Sequence, residues 1–521
     1  MTFIAIVLLV AFLLPTIAVG QMPKALLRKE PPKNQLSIPT FVPPSRLYKV
    51  TSSGWRPIGP APATNYGYGN VSGRITSIAV DPTNFDVVYA SAATGGLWKS
   101  VNGGDTWTPL TDYLPRLASG SVAIDPTDPN TIYYGEGECN FSGDSYPGGG
   151  IFKSTDGGQS WQQLSINTLN YTSRVIVAPS NHNIVYVGGY RDIYKSTDAG
   201  QDWVELNLTN GAVNGIAVNP TDANVIYAGK GSLWGGADTS YGVFKSTDGG
   251  SSWTKLNNGL PGSSYCGRVE IALSPSTPNV LYVGIWGSDT SRVFRSSDGG
   301  SSWTPLSIGN YGGGQGWYNN CVSVSPQDPN SVFVGGIDFW HTTNGGTNWT
   351  NLTQSYAGGY IHPDQHAIAF APSNPNVIYI GNDGGVWKST DGGRTFINCN
   401  SNLAITQFYR IAIDPENPLL TYGGTQDNGT LKNTQPSLQW DMIYGGDGGQ
   451  VIVDPKNSNI ILLDCPSLLG APEFTEISDP NETVVRPGRK LAPLICTLSI
   501  CNLVAVSGDI LATTGTGFGS A

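Results

Sequence analysis

Charge is scarce in this chain. Only 13% of its 521 residues are Asp, Glu, Lys or Arg, and their balance is acidic, at −10. A protein built to hold a phosphate backbone needs a basic face, so nucleic acid is not an expected partner. Long amphipathic helical patterns are missing, which points away from an α-rich core. Histidine occurs four times in all. The seven cysteines, at 139, 266, 321, 399, 465, 496 and 501, lack metal-ligand spacing. Their odd number leaves at least one thiol unpaired even in an oxidising compartment. Beyond the N-terminus no apolar run reaches the roughly 20 residues that a membrane-spanning helix needs. The stretch from Leu491 to Val506 is short and interrupted by Cys, Thr and Asn. No span is therefore expected in the mature chain.

What the chain has in quantity is Gly, Pro and aromatics: 67 Gly, 36 Pro, 14 Trp and 24 Tyr. Much of this belongs to one returning stretch. Lys153-Ser154-Thr155-Asp156-Gly157-Gly158-Gln159-Ser160-Trp161 recurs from Lys195 to Trp203, Lys245 to Trp253, Arg295 to Trp303 and Lys388 to Phe396. Two looser copies, Ser100 to Trp107 and Thr342 to Trp349, put Asn102 and Asn344 at the acid position. The pattern Ser/Thr-x-Asp/Asn-x-Gly-x-x-Trp/Phe describes a locked hairpin turn. The acid or amide accepts from backbone N–H groups, glycine supplies φ > 0, and the aromatic ring covers the turn. These residues are expected to be structural, because a turn aspartate is consumed by its own backbone.

Taken in order, Phe3 to Leu14 is an apolar run broken by Pro15, with small residues at Ala18-Val19-Gly20. This is the shape of a secretory signal over 1–20. Residues 21–54 form a Pro- and Lys-rich leader. Acceptor triplets for N-glycosylation, among them Asn70, Asn140, Asn170, Asn348 and Asn428, fit a secreted, extracellular protein. From about Trp55 a period near 45 residues sets in. Each unit opens on a short apolar strand ending in a Pro turn, such as Ile78-Ala79-Val80-Asp81-Pro82. A second strand such as Val87-Val88-Tyr89-Ala90 follows, then a third leading into the turn, then a fourth carrying the Trp. Four short antiparallel strands per repeat make the blade of a β-propeller. The expectation is an all-β fold: a seven-bladed propeller over 55–400, further blades over 401–464 forming an incomplete second propeller, and an irregular tail over 465–521. The alternative is a single larger ring of 8–10 blades. Pairing of Trp55-Arg56-Pro57-Ile58 with blade seven would support the first arrangement.

With these turns in place the sequence resembles the Asp-box (BNR) propellers, which include sialidases, xyloglucanase-type glycoside hydrolases and sortilin. The resemblance covers about residues 55–464 and implies the propeller fold. In xyloglucanases a Tyr-Ala-Arg-Thr-Asp-Ile-Gly-Gly run supplies a catalytic Asp. The matching run here is Tyr89-Ala90-Ser91-Ala92-Ala93-Thr94-Gly95-Gly96, with Ala93 at the acid position. A sialidase would have Arg-Ile-Pro, whereas here Arg74-Ile75 is followed by Thr76. The resemblance thus implies recognition of a glycan or polysaccharide, with glycoside hydrolysis only through other carboxylates. The alternative is a sortilin-like module binding an extracellular protein or peptide.

Propeller geometry narrows the search for a site. The Pro turns and Asp boxes share one face, so the second-to-third and fourth-to-first loops emerge on the other, which varies. Candidate ligand-binding residues there are Arg74, Trp234, Trp286, Trp317 and Trp340, since ring faces stack on sugars and polar neighbours take hydroxyls. Each Trp also has a plain packing role open to it within its own loop. The catalytic candidates are Asp383, in Tyr379-Ile380-Gly381-Asn382-Asp383-Gly384-Gly385, with Asp427 or Asp447 as partner. Glycoside hydrolysis asks two carboxylates to face each other roughly 5–10 Å apart. No cofactor is expected. His362, Asp364 and His366 are the only weak metal candidates, and Ca²⁺ on carboxylates and carbonyls would suit this chemistry better than zinc.

Overall fold

The computed structural model describes residues 57–464 apart from 141, 143–144, 167–168, 191–192, 207, 209–210, 232–239 and 435. It also describes the backbone strands Phe474–Asp479, Glu482–Pro487, Asn502–Val506 and Asp509–Thr513. The fold is all-β. Three 3-10 turns, at Ser263–Tyr265, Gly313–Gln315 and Ser355–Ala357, are the only helical elements among the described residues. No helix there is long and apolar enough to cross a membrane.

Seven four-stranded antiparallel sheets follow one another along the chain. Their first strands are Ile75–Val80, Ser119–Ile124, Thr172–Val177, Ala212–Asn219, Arg268–Leu273, Cys321–Val324 and Gln365–Ala371. Each first strand lies against the next, and Gln365–Ala371 returns to Ile75–Val80. The core sits between the sheets. In the first strands the outward branched residues face the preceding sheet, so Ile78 and Val80 pack with Tyr379. Val122 packs with Tyr89, Val175 and Val177 with Tyr133, and Ile216 and Val218 with Tyr186.

The same tyrosines tie the sheets together at their tips. Tyr89 Oη donates to Gly157 O (3.3 Å), Tyr133 to Ala199 O (2.9 Å), Tyr186 to Ala223 O (2.9 Å) and Tyr227 to Gly299 O (3.0 Å). Tyr282 reaches Pro329 O and Tyr379 reaches Phe85 O, each at 3.0 Å, the latter joining the seventh sheet to the first. A lysine from the third strand lies over several of these rings and donates to the same carbonyl, as Lys99 does to Gly157 O and Lys153 to Ala199 O. The sixth sheet differs. Phe333 has no hydroxyl, and His341 stacks on its ring with centroids 3.9 Å apart.

The Asp-box turns hold as locked hairpins. In the second sheet Ser154 Oγ donates to Asp156 Oδ1 (2.7 Å) and accepts from Gly158 N (2.8 Å), while Asp156 Oδ1 accepts from Ser160 N (2.9 Å). Trp161 lies fully buried over the turn, 5.8 Å from the Tyr134 ring. A side chain at Gly158, where φ is +93°, would meet Leu110 Cδ1 at 2.6 Å.

Two features differ from the sequence expectations. Pro57 and Ile58 do not pair with the seventh sheet, which has its own fourth strand in Ile397–Asn398. Ile58 O instead accepts from Trp440 Nε1 (2.9 Å), and Ala63–Asn65 runs parallel to Trp440–Tyr444. That joins the hairpin Ala63–Asn65 and Gly69–Val71 to an eighth sheet built on Phe408–Ile413, making it six-stranded. The ninth sheet does not stop at Asp464. Val451–Val453 and Ile461–Asp464 are completed by Phe474–Asp479 and Glu482–Pro487, so the tail is not wholly irregular. Those two strands carry no box, so the period gave no sign of them. Val451 and Val453 pack on Tyr422 of the eighth sheet. The four described cysteines, 139, 266, 321 and 399, are buried and unpaired. The expected signal segment and the whole leader lie outside the described residues.

Candidate functional site

The variable face gathers a buried polar chain over the ring. Arg74, at the entry to the first sheet, pairs with Glu138 from the second (Nε–Oε1 2.6 Å, Nη2–Oε2 3.1 Å). Its Nη1 donates to Tyr318 Oη (2.7 Å), and its guanidinium lies 5.4 Å from the Tyr318 ring. Tyr318 comes from the long loop between the fifth and sixth sheets and donates to Asp383 Oδ2 (2.6 Å). Asp383 Oδ1 takes the other contact, 2.8 Å from His366 Nε2. Tyr318 and His366 also meet edge to face, with ring centroids 4.6 Å apart. All five residues are buried, so each polar group here must find its partner within the protein.

Asp383 sits at the tight turn Asn382-Asp383-Gly384 of the seventh sheet. Asn382 Oδ1 accepts from Gly384 N (3.0 Å) and shapes that turn. The eighth sheet brings Asp427 to the same point. Asn428 Nδ2 donates to Asp383 O (3.0 Å), and the Asp383 and Asp427 carboxyls hydrogen-bond to one another. Asp427 occupies the left-handed region at φ +58°, a conformation Asp tolerates through local hydrogen bonding. Its N–H donates to Asp447 Oδ1 (2.8 Å). The three carboxylates singled out from sequence thus form one contiguous group, with Asp383 buried and Asp427 and Asp447 half-buried.

Burial pushes the Asp383 carboxyl up to about 6, against the pull of Arg74. Burial first, and then the charge on Asp383, push Asp427 well above the usual carboxylate range. Two carboxyls in direct contact cannot both ionise cheaply, so the proton stays on Asp427. Asp364, at φ +65°, is likewise raised by burial and then by Asp383 and Asp427. Its Oδ1 accepts from Gln315 Nε2 and Asn319 Nδ2 (2.7 Å).

Aromatic rings border the group. Tyr68 lies 4.9 Å from the His362 ring and donates to Ser355 O (3.4 Å). Tyr356 is 73% exposed; partial burial of its hydroxyl and then the Asp364 charge raise its pKa. Asp338 fixes the loop that carries it, accepting from Thr353 Oγ1 and Ser355 N, both at 2.8 Å. Trp317 is half-buried, 5.6 Å from Tyr318.

The other candidates are placed differently. Trp286 is buried, covering Gly267 and Gly316. Trp340 packs into the core between the fifth and sixth sheets, because strand alternation turns it inward. Arg74 is held by Glu138 and Tyr318 beneath the surface. Trp234 lies outside the described residues. His362, Asp364 and His366 do not converge: His362 faces Pro363 O and Asp427 O, while His366 faces Asp383. Among the described residues no three His, Cys, Asp or Glu side chains are grouped to hold a metal ion. Sequence reasoning left out Tyr68, Tyr356, Gln315 and Asn319. The unusually long, Gly-rich run from Asn310 to Asn320 was the available signal for the last two.

Known proteins resemble this chain in part. The family model described as sortilin, neurotensin receptor 3, matches residues 149–275. A xyloglucanase of Acetivibrio thermocellus is 28% identical over 138 residues, covering 24% of this chain and 16% of that one. A probable oligoxyloglucan-reducing end-specific xyloglucanase of Neosartorya fischeri is 30% identical over 178 residues, 30% of this chain and 21% of its own. The matched stretches thus span only a minor part of these relatives' length. Among solved structures, an ancestral GH74 enzyme has TM-score 0.44 and 15% identity over 82% of this chain and 77% of that one. YCF48 bound to D1 peptide has TM-score 0.44 and 16% identity over 66% and 97%. The chain is an Asp-box β-propeller protein resembling xyloglucanases and sortilin.

Proposed function

We propose that this protein is secreted and recognises an extracellular glycan or polysaccharide through the variable face. In this reading a seven-bladed ring over 55–400 is followed by the blades of an incomplete second propeller. The ligand would lie over Asp427 and Asp447, with Tyr356 and Trp317 offering ring faces to the sugar and Asp364 beside them. The observation that carries the reading is the joining of Asp383, Asp427 and Asp447 into one group beneath an exposed tyrosine. Ring faces beside carboxylates suit sugars, which present apolar C–H faces and many hydroxyls. The xyloglucanase relatives support the same ligand class.

Recognition is favoured over hydrolysis by the spacing. Asp383 and Asp427 touch, whereas glycoside hydrolysis needs carboxyls about 5–10 Å apart. They would act as one proton-holding unit, and Asp447 would have to supply the second carboxylate. A glycan array together with a reducing-sugar release assay tests this on wild type, Asp427→Asn and Tyr356→Ala. Binding lost in Tyr356→Ala without sugar release from wild type is the expected result. Release abolished by Asp427→Asn would make the protein a hydrolase. Silence in both assays would favour the second reading, a protein- or peptide-binding module, which the sortilin match over 149–275 supports.

A further inference from the structure

The axis of the ring carries a second polar cluster, which shares His366 with the carboxylate group above it. Thr76, Ser173, Arg174, Asn214, Arg268 and Glu270, contributed by the inner strands of four sheets, line a small space. It has room for one small occupant. Most of the polar groups around it are committed. Arg268 is held by Glu270 Oε1 (3.2 and 3.1 Å), by Asn140 Oδ1 (3.2 Å) and by Tyr318 O (2.7 Å). Thr76 Oγ1 donates to Ser91 O and Ser119 O, and Ser173 Oγ to Val213 O.

Two residues stand apart. Asn214 is 2% exposed, and neither its Nδ2 nor its Oδ1 meets a hydrogen-bond partner among the described residues. Arg174 makes a single hydrogen bond there, from Nη2 to Glu270 Oε2 (2.9 Å), and its side chain keeps 28% exposure. A buried amide left wholly unpaired costs free energy and calls for an occupant. The charges say which kind. Arg174 and Arg268 are two positive charges, and Glu270 alone among the lining residues opposes them. Cys139, which also borders the space, does not redress the balance, because burial pushes its thiol pKa up and keeps it neutral. The space therefore carries an excess of one positive charge and an excess of N–H donors.

We propose that the central channel binds one small monovalent anion of chloride size, held by Arg174 and the Asn214 amide. A cation would meet two guanidinium groups at close range, and a sugar or peptide is too large for the space. The anion would neutralise the excess charge and take up the Asn214 N–H groups. Arg174, the only partly exposed member, would be its point of entry.

Bromide soaked into crystals of the wild-type protein tests this directly. An anomalous peak within hydrogen-bonding distance of Asn214 Nδ2 and Arg174 is expected; a channel holding water alone would overturn the proposal. In solution, thermal unfolding in chloride is compared with the bulkier gluconate at equal ionic strength. Wild type should gain stability with rising chloride as the site fills. Asn214→Asp supplies its own negative charge and should lose that dependence. Arg174→Gln should weaken chloride binding by roughly tenfold or more. Identical unfolding of wild type in the two salts would sink the proposal, and the crystal experiment decides it even if either variant fails to fold.

Discussion

Tyr318 Oη stands 2.6 Å from Asp383 Oδ2 while accepting from Arg74, so a loop between the fifth and sixth sheets reaches across the ring to the turn of the seventh. Burial pushes the Tyr318 hydroxyl well above its usual pKa, and it remains a donor throughout the accessible pH range. Asp383 is thereby held in place by Tyr318 and His366, while Asp427 is half-buried beside it. In the proposed reading Asp383 would position the group and Asp427 would contact the ligand.

The carboxyl group at the site makes stability depend on pH. Asp383 is raised to about 6, and Asp427 and Asp364 are also raised well above the ordinary range near 4. Across that interval the folded protein keeps protons that the unfolded chain has released, so stability falls as pH rises. The Asp383 contribution runs from about pH 4 to just above 6, and the other two act in the same direction. The box aspartates act oppositely: Asp248, Asp298 and Asp391 are depressed to about 2, chiefly by hydrogen bonds from Ser252, Ser302 and Thr395. Their contribution is present above pH ~4 and is lost as pH falls through about 2. Urea unfolding should therefore show greatest stability at about pH 4–5. Asp427→Asn, which cannot ionise, should decline less steeply towards alkaline pH. An unchanged slope in that variant would show that Asp427 is not raised.

Much of this was legible in the chain and some was not. The boxes could be read because local hydrogen bonding and a buried Trp demand the same residues at every copy. Asp383, Asp427 and Asp447 could be marked as turn carboxylates on the variable face. That two of them touch could not, because their meeting depends on how the eighth sheet docks on the seventh. Trp286 and Trp340 had the composition of sugar-stacking residues but serve packing, since strand alternation and neighbouring glycines decide which way a ring turns. Asn140 and Asn428 carry glycosylation triplets yet are buried, because the amide of each is used between loops.

The third box contains a matched pair for a backbone test. Ala199 sits at φ +58°, where the second box has Gly157 at +72°. A side chain at Gly157 would meet nothing closer than Lys99 Nζ at 3.2 Å, a flexible end, so the cost there is conformational. The left-handed region costs a non-glycine residue roughly 1–2 kcal/mol, partly offset by glycine's greater freedom when unfolded. Ala199→Gly should therefore stabilise by up to about 1 kcal/mol and Gly157→Ala should destabilise by a similar amount. Chemical denaturation of the two variants checks this, and effects of the same sign would contradict it.

The tyrosine contacts between sheets should each carry modest weight. Tyr133→Phe removes the hydrogen bond to Ala199 O but leaves Lys153 donating to the same carbonyl. A cost of about 1 kcal/mol is expected. Adding Lys153→Met should cost more than the two single changes together, because the carbonyl then loses both donors. The sixth sheet, with Phe333 and His341 in these places, already tolerates the loss of the hydroxyl. A double-mutant cycle measures the coupling, and strict additivity would mean that water replaces either donor without loss.

Tyr356 and Trp340 separate recognition from packing. Tyr356 is 73% exposed on a loop fixed by Asp338, so truncating it removes little buried surface. Tyr356→Ala should leave the unfolding midpoint nearly unchanged and weaken glycan binding by about 1–3 kcal/mol, the range for a buried interface ring. Trp340 packs with Ile308, Val324 and Val334, so Trp340→Ala should cost about 3 kcal/mol or more of stability. Any binding that survives in the folded fraction should keep wild-type affinity, because the ring does not reach the carboxyl group. Calorimetric titration with an oligosaccharide and denaturation of the same samples give both numbers. Loss of affinity in Trp340→Ala with full stability would move the ligand to the sixth sheet, and unchanged affinity in Tyr356→Ala would remove Tyr356 from the site.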